Sequence, residues 1–377
     1  MPAPRQTRKA ASATSRPAAS AGQPGRAKRP TLRDVAELAG VSLSTASLVF
    51  SGRGPVSDAT AARVRAAAQE LAYAGPNPLA SSLRQGRTGT VGVVVEGRLG
   101  DAFGDPFALT VLDGLARELD AIPAALLLLP REPGDDSRLL AQLGAAAVDA
   151  VVFALCGPRD DPAVDLLAGR GIPMIAAGAP VDPRVPQLLV AERAASAEVA
   201  RLLVGLGHTR IGHITLPLAP RVPTGPVAPA QVALASYPDG AARALGVLDV
   251  APDARVVQTT IADVASGEQA ARLLLGVPAH ERPTAIIAQS DVLAAGVLRV
   301  AADLGLRVPE DLSVTGFDGL DLPWVDVRLT TVVQDGQARG RALGAMVAAA
   351  LSGASVRTTH FPTHLRLGET TGPPPTR

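Results

Sequence analysis

Hydroxyl side chains and helical apolar positions are concentrated in one short stretch, TLRDVAELAGVSLSTASLVF, at residues 31–50. Thr31 and Ser42 each precede a helical pattern, where a side-chain oxygen can accept a hydrogen bond from the first turn. Gly40 permits the positive φ that a tight corner requires. The side chains left facing partly outward on the second helix are Leu43, Ser44, Ser47 and Leu48. This arrangement predicts a helix-turn-helix, whose second helix can enter a DNA major groove.

Three short helices must pack together to present that outward face. The apolar face of the first is expected to contain Val35, Ala36, Leu38 and Ala39, with Val41 in the corner and Ala46, Val49 and Phe50 facing inward from the second. Ser57 is suited to cap a third helix, buried through Val64, Ala68 and Leu71. The chain from Thr31 to about Tyr73 is therefore expected to form one compact helical domain.

Positive charge is concentrated at the N-terminal end. Residues 1–88 hold 13 Lys and Arg against four Asp and Glu, although the net charge of the whole chain is only +1. Residues 1–30 contribute seven of the basic groups and no acid. Their Ala, Pro, Ser, Gly and Arg content predicts a disordered arm. Such an arm is either a solvated tail or a contact for a polyanion, and the asymmetry favours the polyanion.

A connector, AGPNPLASSLRQGRTG, follows the helical domain at residues 74–89. Asn77 can cap a helix and Pro78 suits its first position, so a single turn carrying Leu79 and Leu83 is expected. A helix this short is unstable alone in water, and its leucines need a partner. That partner is either the protein's own domain or DNA, with Leu83 wedged between base pairs in the minor groove.

From Thr90 onward, short apolar runs alternate with helical segments. The runs are TVGVVVEG, AALLLLP, AVVFALCG, PMIAAGA, RIGHITLP, TAIIAQS and LSVTGFD. Near-continuous apolar strands separated by helices are typical of parallel sheets covered on both faces. Some 280 residues exceed one ordinary core, so two α/β lobes are expected. The C-terminal stretch TTGPPPTR is expected to be disordered.

Several function classes find no support in the sequence. No apolar run approaches the ~18 residues of a membrane span, and the N-terminus lacks the apolar segment of a secretory signal. Cys156 is the only cysteine and cannot form an internal disulfide, which fits a reducing cytoplasm. There is no P-loop, GxSxG or HExxH motif, and the five histidines are scattered, so neither an enzyme nor a metal or cofactor site is expected. A transport binding protein would require export.

Taken in order, these stretches resemble the LacI/GalR family of bacterial transcriptional regulators. The resemblance rests on TLRDVAELAGVSLSTAS, VSDATAARVRAAAQELAY, PNPLASSLRQGRTGTVGVVV, LGHTRIGHI, LGLRVPEDLSVTGFD, LTTVVQD and ETTGPPP, spanning residues 31 to about 373. It implies an all-α helix-turn-helix domain with a hinge helix, followed by a two-lobed α/β periplasmic-binding-protein-like domain with parallel sheets.

The expected organisation has five parts. They are a basic arm at 1–30, the helix-turn-helix domain at 31–75, the hinge and linker at 76–89, an effector-binding and dimerisation domain at 90–368, and a tail at 369–377. Lobe one is assigned to about 90–190 and 318–332, and lobe two to about 191–317 and 333–368. Three crossovers are expected to join the lobes.

The resemblance also implies which residues meet DNA. Base reading falls on Leu43, Ser44 and Leu48, while Thr31, Ser42, Thr45 and Ser47 would contact phosphates, which position the protein without reading sequence. Asn77, Ser81, Leu83 and Arg84 are expected DNA contacts in the hinge. Leu48 departs from the family's usual Arg, so it offers apolar contact, for instance to a thymine methyl, instead of pairing with guanine. The stretch YAGPN is one residue longer than usual, which can shift the hinge helix.

A small molecule is expected between the lobes, at the carboxyl ends of the strands. The candidate effector-binding residues are Asp105, Phe107, Tyr237, Ser290, Asp291, Asp318 and Trp324. Ala233 stands where the family usually has a ligand-binding Arg, so an oriented bidentate donor is lost. Aromatic residues make up only 2% of the chain, and a standard sugar effector is therefore less expected.

The predicted function is a sequence-specific transcriptional regulator acting in the bacterial cytoplasm at the nucleoid. It would be a homodimeric repressor that binds a pseudo-palindromic operator under the control of a small-molecule effector. The alternative is an architectural or constitutive DNA-binding protein with a vestigial pocket.

Overall fold

The structure is a computed structural model that describes residues 30–52, 54–75, 86–155 and 157–376. Its contacts divide the chain into two compact units, Met1–Arg84 and Gln85–Arg377. We call their described parts the helical unit and the α/β unit. Cys156 and most of the predicted basic arm lie outside the described residues.

The helical unit contains three helices, α1 (Leu32–Leu38), α2 (Leu43–Ser51) and α3 (Asp58–Glu70). Its buried core consists of Val35, Ala36, Ala39, Ala46, Val64, Ala67 and Ala68. Gly40 adopts a φ of 63° at the corner, as predicted. The prediction that Leu38 is buried was wrong, since it is 47% exposed. The inward stripe of α1 is centred between Val35, Ala36 and Ala39, and Leu38 lies beside it.

The α/β unit contains ten helices and thirteen strands within its described residues. The helices are α4 (Leu99–Gly104), α5 (Pro106–Leu119), α6 (Ser137–Ala145), α7 (Ala163–Gly169), α8 (Glu192–Gly205), α9 (Pro229–Val232), α10 (Pro238–Leu248), α11 (Val264–Leu275), α12 (Asp291–Asp303) and α13 (Gly336–Leu351). The strands are β1 (Thr90–Glu96), β2 (Ala125–Arg131), β3 (Ala150–Phe153), β4 (Met174–Ala176), β5 (Leu188–Val190), β6 (Ile211–Thr215), β7 (Gly225–Val227), β8 (Arg255–Gln258), β9 (Ala285–Ala288), β10 (Ser313–Asp318), β11 (Thr330–Val333), β12 (Thr359–Phe361) and β13 (His364–Arg366).

Two large sheets define two lobes. The first has four parallel strands in the order β2-β1-β3-β4, and the second has seven in the order β13-β11-β10-β9-β6-β8-β7. Strands β11, β10, β9, β6 and β8 run parallel, while β13 and β7 pair antiparallel at the edges. Every apolar run identified in the sequence contains a strand. Buried strands such as β3 and β9 match the expected continuous apolar pattern.

The expected lobe boundaries after residue 317 were wrong. Strands β10 and β11 both belong to the second sheet, so residues 318–332 do not join lobe one. Helix α13 packs instead against α5, and its Leu343 and Val347 lie in the core of the first lobe. The chain therefore crosses between lobes after β5, after β11 and again before β13. The α5–α13 contact is so close that a Cβ on Gly340 would overlap the carbonyl oxygen of Val111.

The predicted disordered tail is ordered over most of its length. Thr370 is fully buried, and its Oγ1 donates a hydrogen bond to the Val314 carbonyl of β10 over 2.6 Å. Gly372 donates its N–H to Ser313 Oγ over 3.0 Å. The segment thus satisfies polar groups of the second sheet, which composition alone did not indicate. Within the described ranges, no helix has the length and apolar character needed to cross a membrane.

Candidate functional site

Side-chain caps fix the helices of the helical unit. Thr31 and Asp34 form a capping box, with the Thr31 N–H and hydroxyl both donating to Asp34 Oδ2, over 2.6 and 2.8 Å. Ser42 Oγ accepts from the Thr45 N–H at 3.1 Å and lies 2.7 Å from Ser44 Oγ. The predicted DNA-contacting hydroxyls of Ser42, Ser44 and Thr45 therefore form a connected group at the start of α2.

The predicted base-reading side chains share one open face of α2. Leu43, Ser44 and Leu48 are exposed, and Ser47 is half-buried beside them. Leu48 also packs towards the following turn, since a Cβ on Gly54 would lie 3.3 Å from Leu48 Cδ2. A helix face with two exposed leucines and hydroxyls can make apolar contacts and neutral hydrogen bonds to base edges, but no bidentate pair with guanine. Asn77, Ser81, Leu83 and Arg84 lie outside the described residues.

In the α/β unit, the lobes meet through a tyrosine and a glutamate. Tyr237, at the start of α10, donates its hydroxyl hydrogen to Glu96 Oε1 over 2.6 Å, and Glu96 ends β1. Burial raises the pKa of Glu96 from 4.5 to about 7, although the Tyr237 hydrogen bond acts in the opposite direction. A second polar link joins the Arg159 N–H to the Ser236 carbonyl over 2.8 Å. Predicted effector residue Tyr237 thus lies at a contact between the lobes.

A buried chain of polar groups begins at Asp318, at the carboxyl end of β10. Asp318 Oδ1 accepts from Gln334 Nε2 at 2.7 Å, and Gln334 Oε1 accepts from Arg339 Nη1 at 2.6 Å. Burial raises the pKa of the Asp318 carboxyl well above its usual range. Its φ of 115° is rare for a residue with a side chain, and such strain is often found at functional sites. This chain connects the end of the second sheet to α13 of the first lobe.

Arg243 occupies the other side of Asp318. Its guanidinium forms a 2.5 Å ion pair with Glu192, lies 3.9 Å from Asp318 and stacks 3.7 Å above the Phe317 ring. It also donates to the Gln289 carbonyl over 2.6 Å. The end of the second sheet is therefore a dense network of charged and polar groups.

Most of the remaining predicted effector residues are hydrogen-bonded within the chain, and the charges of Asp105 and Asp291 act on Asp318, where they raise its pKa further. Asp105 caps α5 by accepting from the Phe107 N–H at 2.9 Å, and burial raises its pKa. Ser290 caps α12 by accepting from the Leu293 N–H. Asp291 is fully buried and accepts from Thr331 Oγ1 and the Leu320 N–H, both at 2.6 Å. Trp324 is 50% exposed in the β10–β11 loop. Asp318 is connected to Arg339 through Gln334. The centroid of the Phe107 ring lies 5.9 Å from Arg339 Cζ.

Sequence reasoning did not identify Glu96, Arg243 or Arg339. Glu96 carried a usable signal, because a charged residue ends the apolar run TVGVVVE in a predicted parallel strand. The two arginines resemble ordinary helix-surface residues in the sequence, and only the packing of the lobes buries them. Ala233, where the resemblance predicts the family's Arg position, lies at the end of α9 and is exposed.

The described residues contain no cluster of His, Cys, Asp and Glu able to hold a metal ion. The arrangement offers hydrogen-bond acceptors, guanidinium donors and a lobe–lobe contact. These groups can bind and orient a polar molecule.

Two family models match the chain. Residues 31–77 match the bacterial regulatory proteins of the lacI family, and residues 200–371 match a periplasmic binding protein-like domain. These matches cover helices α1 to α3 and most of the second lobe.

Curated relatives match nearly the whole chain. An HTH-type transcriptional regulator of Mycolicibacterium smegmatis is 31% identical, over 92% of this chain and 98% of its own length. The ribose operon repressor of Escherichia coli is 32% identical, over 81% and 88% respectively. Among solved structures, a complex of the transcriptional regulator CelR with cellobiose has a TM-score of 0.63 at 28% identity, covering 91% of this chain and all of that one.

These relatives are regulators, and the likeness extends through both units. The protein belongs to the LacI family of bacterial transcriptional regulators, and it is not an enzyme.

Proposed function

We propose that this regulator is a repressor that binds a pseudo-palindromic operator as a homodimer and releases or tightens its hold when a small molecule binds between its lobes. It would act in the cytoplasm, at the nucleoid. The open face of α2, carrying Leu43, Ser44 and Leu48, is the observation that carries the DNA-binding part. One such face covers one half-site, and two-fold symmetry of the protein would mirror that of the operator.

The contact between lobes supports the effector part. Lobes joined by Tyr237–Glu96 can exist in more closed and more open arrangements, and a molecule that binds one arrangement better shifts the population. That differential affinity is what allosteric control requires. Among the relatives, CelR is solved in complex with cellobiose, and another is named as the repressor of a ribose operon. A polar small molecule is therefore the proposed ligand class.

A second candidate is a constitutive or architectural DNA-binding protein with a vestigial pocket. Asp318, Ser290 and Gln334 favour it, because each is buried and already hydrogen-bonded within the chain. A site whose polar groups satisfy one another has less need of a ligand.

The stoichiometry and ligand response on DNA test the proposal. A binding sequence would first be selected from random DNA with the full chain. The full chain would then be titrated against this sequence and against a duplex that retains only one of its half-sites. We expect two chains on the full duplex, and binding to the half-site that is weaker by more than about tenfold. A small-molecule panel that includes cellobiose and ribose would then be added. Binding of one chain with equal affinity to both duplexes would contradict the dimer, and constant affinity across the panel would favour the second candidate.

A further inference from the structure

Three arginines of the α/β unit are almost fully buried, and they differ in what neutralises them. Arg131 contacts Asp161 at 2.6 Å and Asp136 at 2.9 Å. Arg243 contacts Glu192 at 2.5 Å. Arg339, which is 5% exposed, forms no ion pair with any carboxylate of the described chain. Two of the three buried cations thus have a built-in counter-ion, and the third has none among the described residues.

The neutral contacts of Arg339 leave its charge uncompensated. Nη1 donates to Gln334 Oε1 over 2.6 Å, and Nη2 donates to the Ala177 carbonyl over 3.3 Å. The Phe107 ring lies at the outer limit of a cation–π contact, at 5.9 Å. Arg339 Nε is buried and has no hydrogen-bond partner. A buried charge that lacks both a counter-ion and a full set of hydrogen bonds is costly, so an anion beside it would be strongly favoured.

Arg339 is one of the residues that line a cavity of about 390 Å³. Its walls come from both lobes and include Gly178, Val190, Glu192, Asp239 and Arg339. This volume is within the range of small-molecule sites. At Gly178 the wall is closely packed, because a Cβ there would lie 2.5 Å from Asp239 Oδ1.

The other charged side chains that line the cavity indicate which chemical groups a ligand would carry. Of the other charged residues in the wall, Glu192 forms an ion pair with Arg243, and Arg193 forms one with Asp249 at 2.7 Å. Arg339 is therefore the cation of the wall that has no carboxylate partner in the described chain. The Asp239 carboxylate, also in the wall, can only accept hydrogen bonds when ionised. A ligand that contacts both Arg339 and Asp239 carries an anionic group at one end and hydroxyl donors at the other.

We propose that the effector is a small hydroxylated carboxylate, such as a sugar acid, whose carboxylate pairs with Arg339 and whose hydroxyls donate to Asp239. This inference rests on the proposed ligand-controlled function. Arg339, on α13 of the first lobe, would then supply the guanidinium that the family resemblance leads us to expect at Ala233 of the second lobe. A ligand held by Arg339 and Asp239 contacts both lobes and so couples its binding to their closure.

Matched acids and neutral sugars test this proposal on the full chain. Sodium D-ribonate and D-gluconate would be compared with D-ribose and D-glucose, with sodium chloride at equal ionic strength as the salt control. We expect at least one acid to raise the Tm and to bind by calorimetry at least about tenfold more tightly than its neutral partner. The proposal is overturned if neither acid exceeds the chloride control, or if acid and sugar bind equally.

Three variants assign the response to the guanidinium. Arg339→Met should abolish the preference for acids, and Arg339→Lys should retain part of it, because Lys keeps the charge but loses the bidentate geometry. Arg299→Met removes an exposed arginine of α12 that pairs with Glu268, and it should respond like the wild type. Acid binding that survives in Arg339→Met would contradict the assignment.

The DNA measurement separates this inference from the function on which it rests. If the wild type and Arg339→Met both bind the selected operator specifically, while no acid binds either protein, the sugar-acid inference fails and operator binding stands. If no sequence is selected at all, the proposed function itself fails.

Discussion

Tyr237 of the second lobe donates a 2.6 Å hydrogen bond to Glu96 of the first, and Glu96 is a partly buried carboxyl with its pKa raised to about 7. A proton on Glu96 is therefore linked to the stability of the α/β unit. The folded protein retains this proton between pH 4.5 and about 7, whereas the unfolded chain loses it.

The first prediction concerns pH. Because the folded state binds the extra proton, the free energy of unfolding should fall as pH rises from 4.5 to about 7, by up to roughly 3 kcal/mol from Glu96 alone. Glu96→Gln should remove this contribution, while other buried carboxyls such as Asp318 still contribute. Urea unfolding of the wild type and of Glu96→Gln at about pH 5 and about pH 8 measures how far the free energy of unfolding of each protein falls.

Tyr237→Phe provides the matched control for the pH prediction. Loss of the Tyr237 hydroxyl removes the hydrogen bond that opposes the rise in the pKa of Glu96, so the total fall in the free energy of unfolding between about pH 5 and about pH 8 should become larger. Parallel pH profiles for the wild type and Glu96→Gln would show that Glu96 does not titrate in this way.

A second prediction separates helix capping from DNA binding. Ser42 and Ser57 each cap a helix through a backbone N–H, from Thr45 and Thr60 respectively. Ser42→Ala and Ser57→Ala should therefore both lower the stability of the helical unit, by about 1 kcal/mol. Only Ser42→Ala should weaken operator binding, because only Ser42 is a predicted phosphate contact. Equal affinity of the two variants for DNA would count against that role.

The third prediction concerns base preference. Leu48→Arg should shift one position of each half-site to guanine, with a discrimination of about 1–3 kcal/mol, because Arg can pair with O6 and N7. Leu38→Arg adds the same charge at another exposed leucine, on α1. It should leave the selected sequence unchanged. Selection of bound sequences from random DNA with each variant measures this shift. An unchanged consensus sequence for Leu48→Arg would show that residue 48 does not contact the bases.

A fourth prediction tests the close packing of α13 on α5. Gly340→Ala should destabilise the α/β unit by about 2 kcal/mol or more, since its Cβ would overlap the Val111 carbonyl. Gly144→Ala, in α6, meets nothing within 4 Å and should be neutral or slightly stabilising. Thermal unfolding compares the two, and equal Tm values would show that the helices can separate without cost.

The predictable parts of this protein are those with local signals. Caps at Thr31, Ser42 and Ser57, the corner at Gly40 and the seven apolar strands follow from residue types and spacing, and the structure confirms them. The short edge strands β7, β12 and β13 carry little apolar pattern and were not predicted.

Properties that depend on distant packing could not be read from the sequence. The placement of α13 on the first lobe follows from its contact with α5, more than 200 positions earlier in the chain. The burial of Arg243 and Arg339, and the order of the tail at Thr370, likewise depend on partners far along the chain. Asp291 lies in a stretch that resembles a family ligand motif, yet its carboxylate is hydrogen-bonded within the second lobe. Its effector role, like those of Asp105 and Ser290, stays a prediction.

The most direct test of the account is selection of bound sequences from random DNA by the purified full chain at a stated salt concentration. We expect a pseudo-palindrome with a flexible central pyrimidine–purine step, because two α2 faces would read the half-sites and Leu83 would wedge at the centre. Salt-sensitive binding without any enriched sequence would contradict the account, since it would leave a basic arm that binds phosphates and no reader of bases.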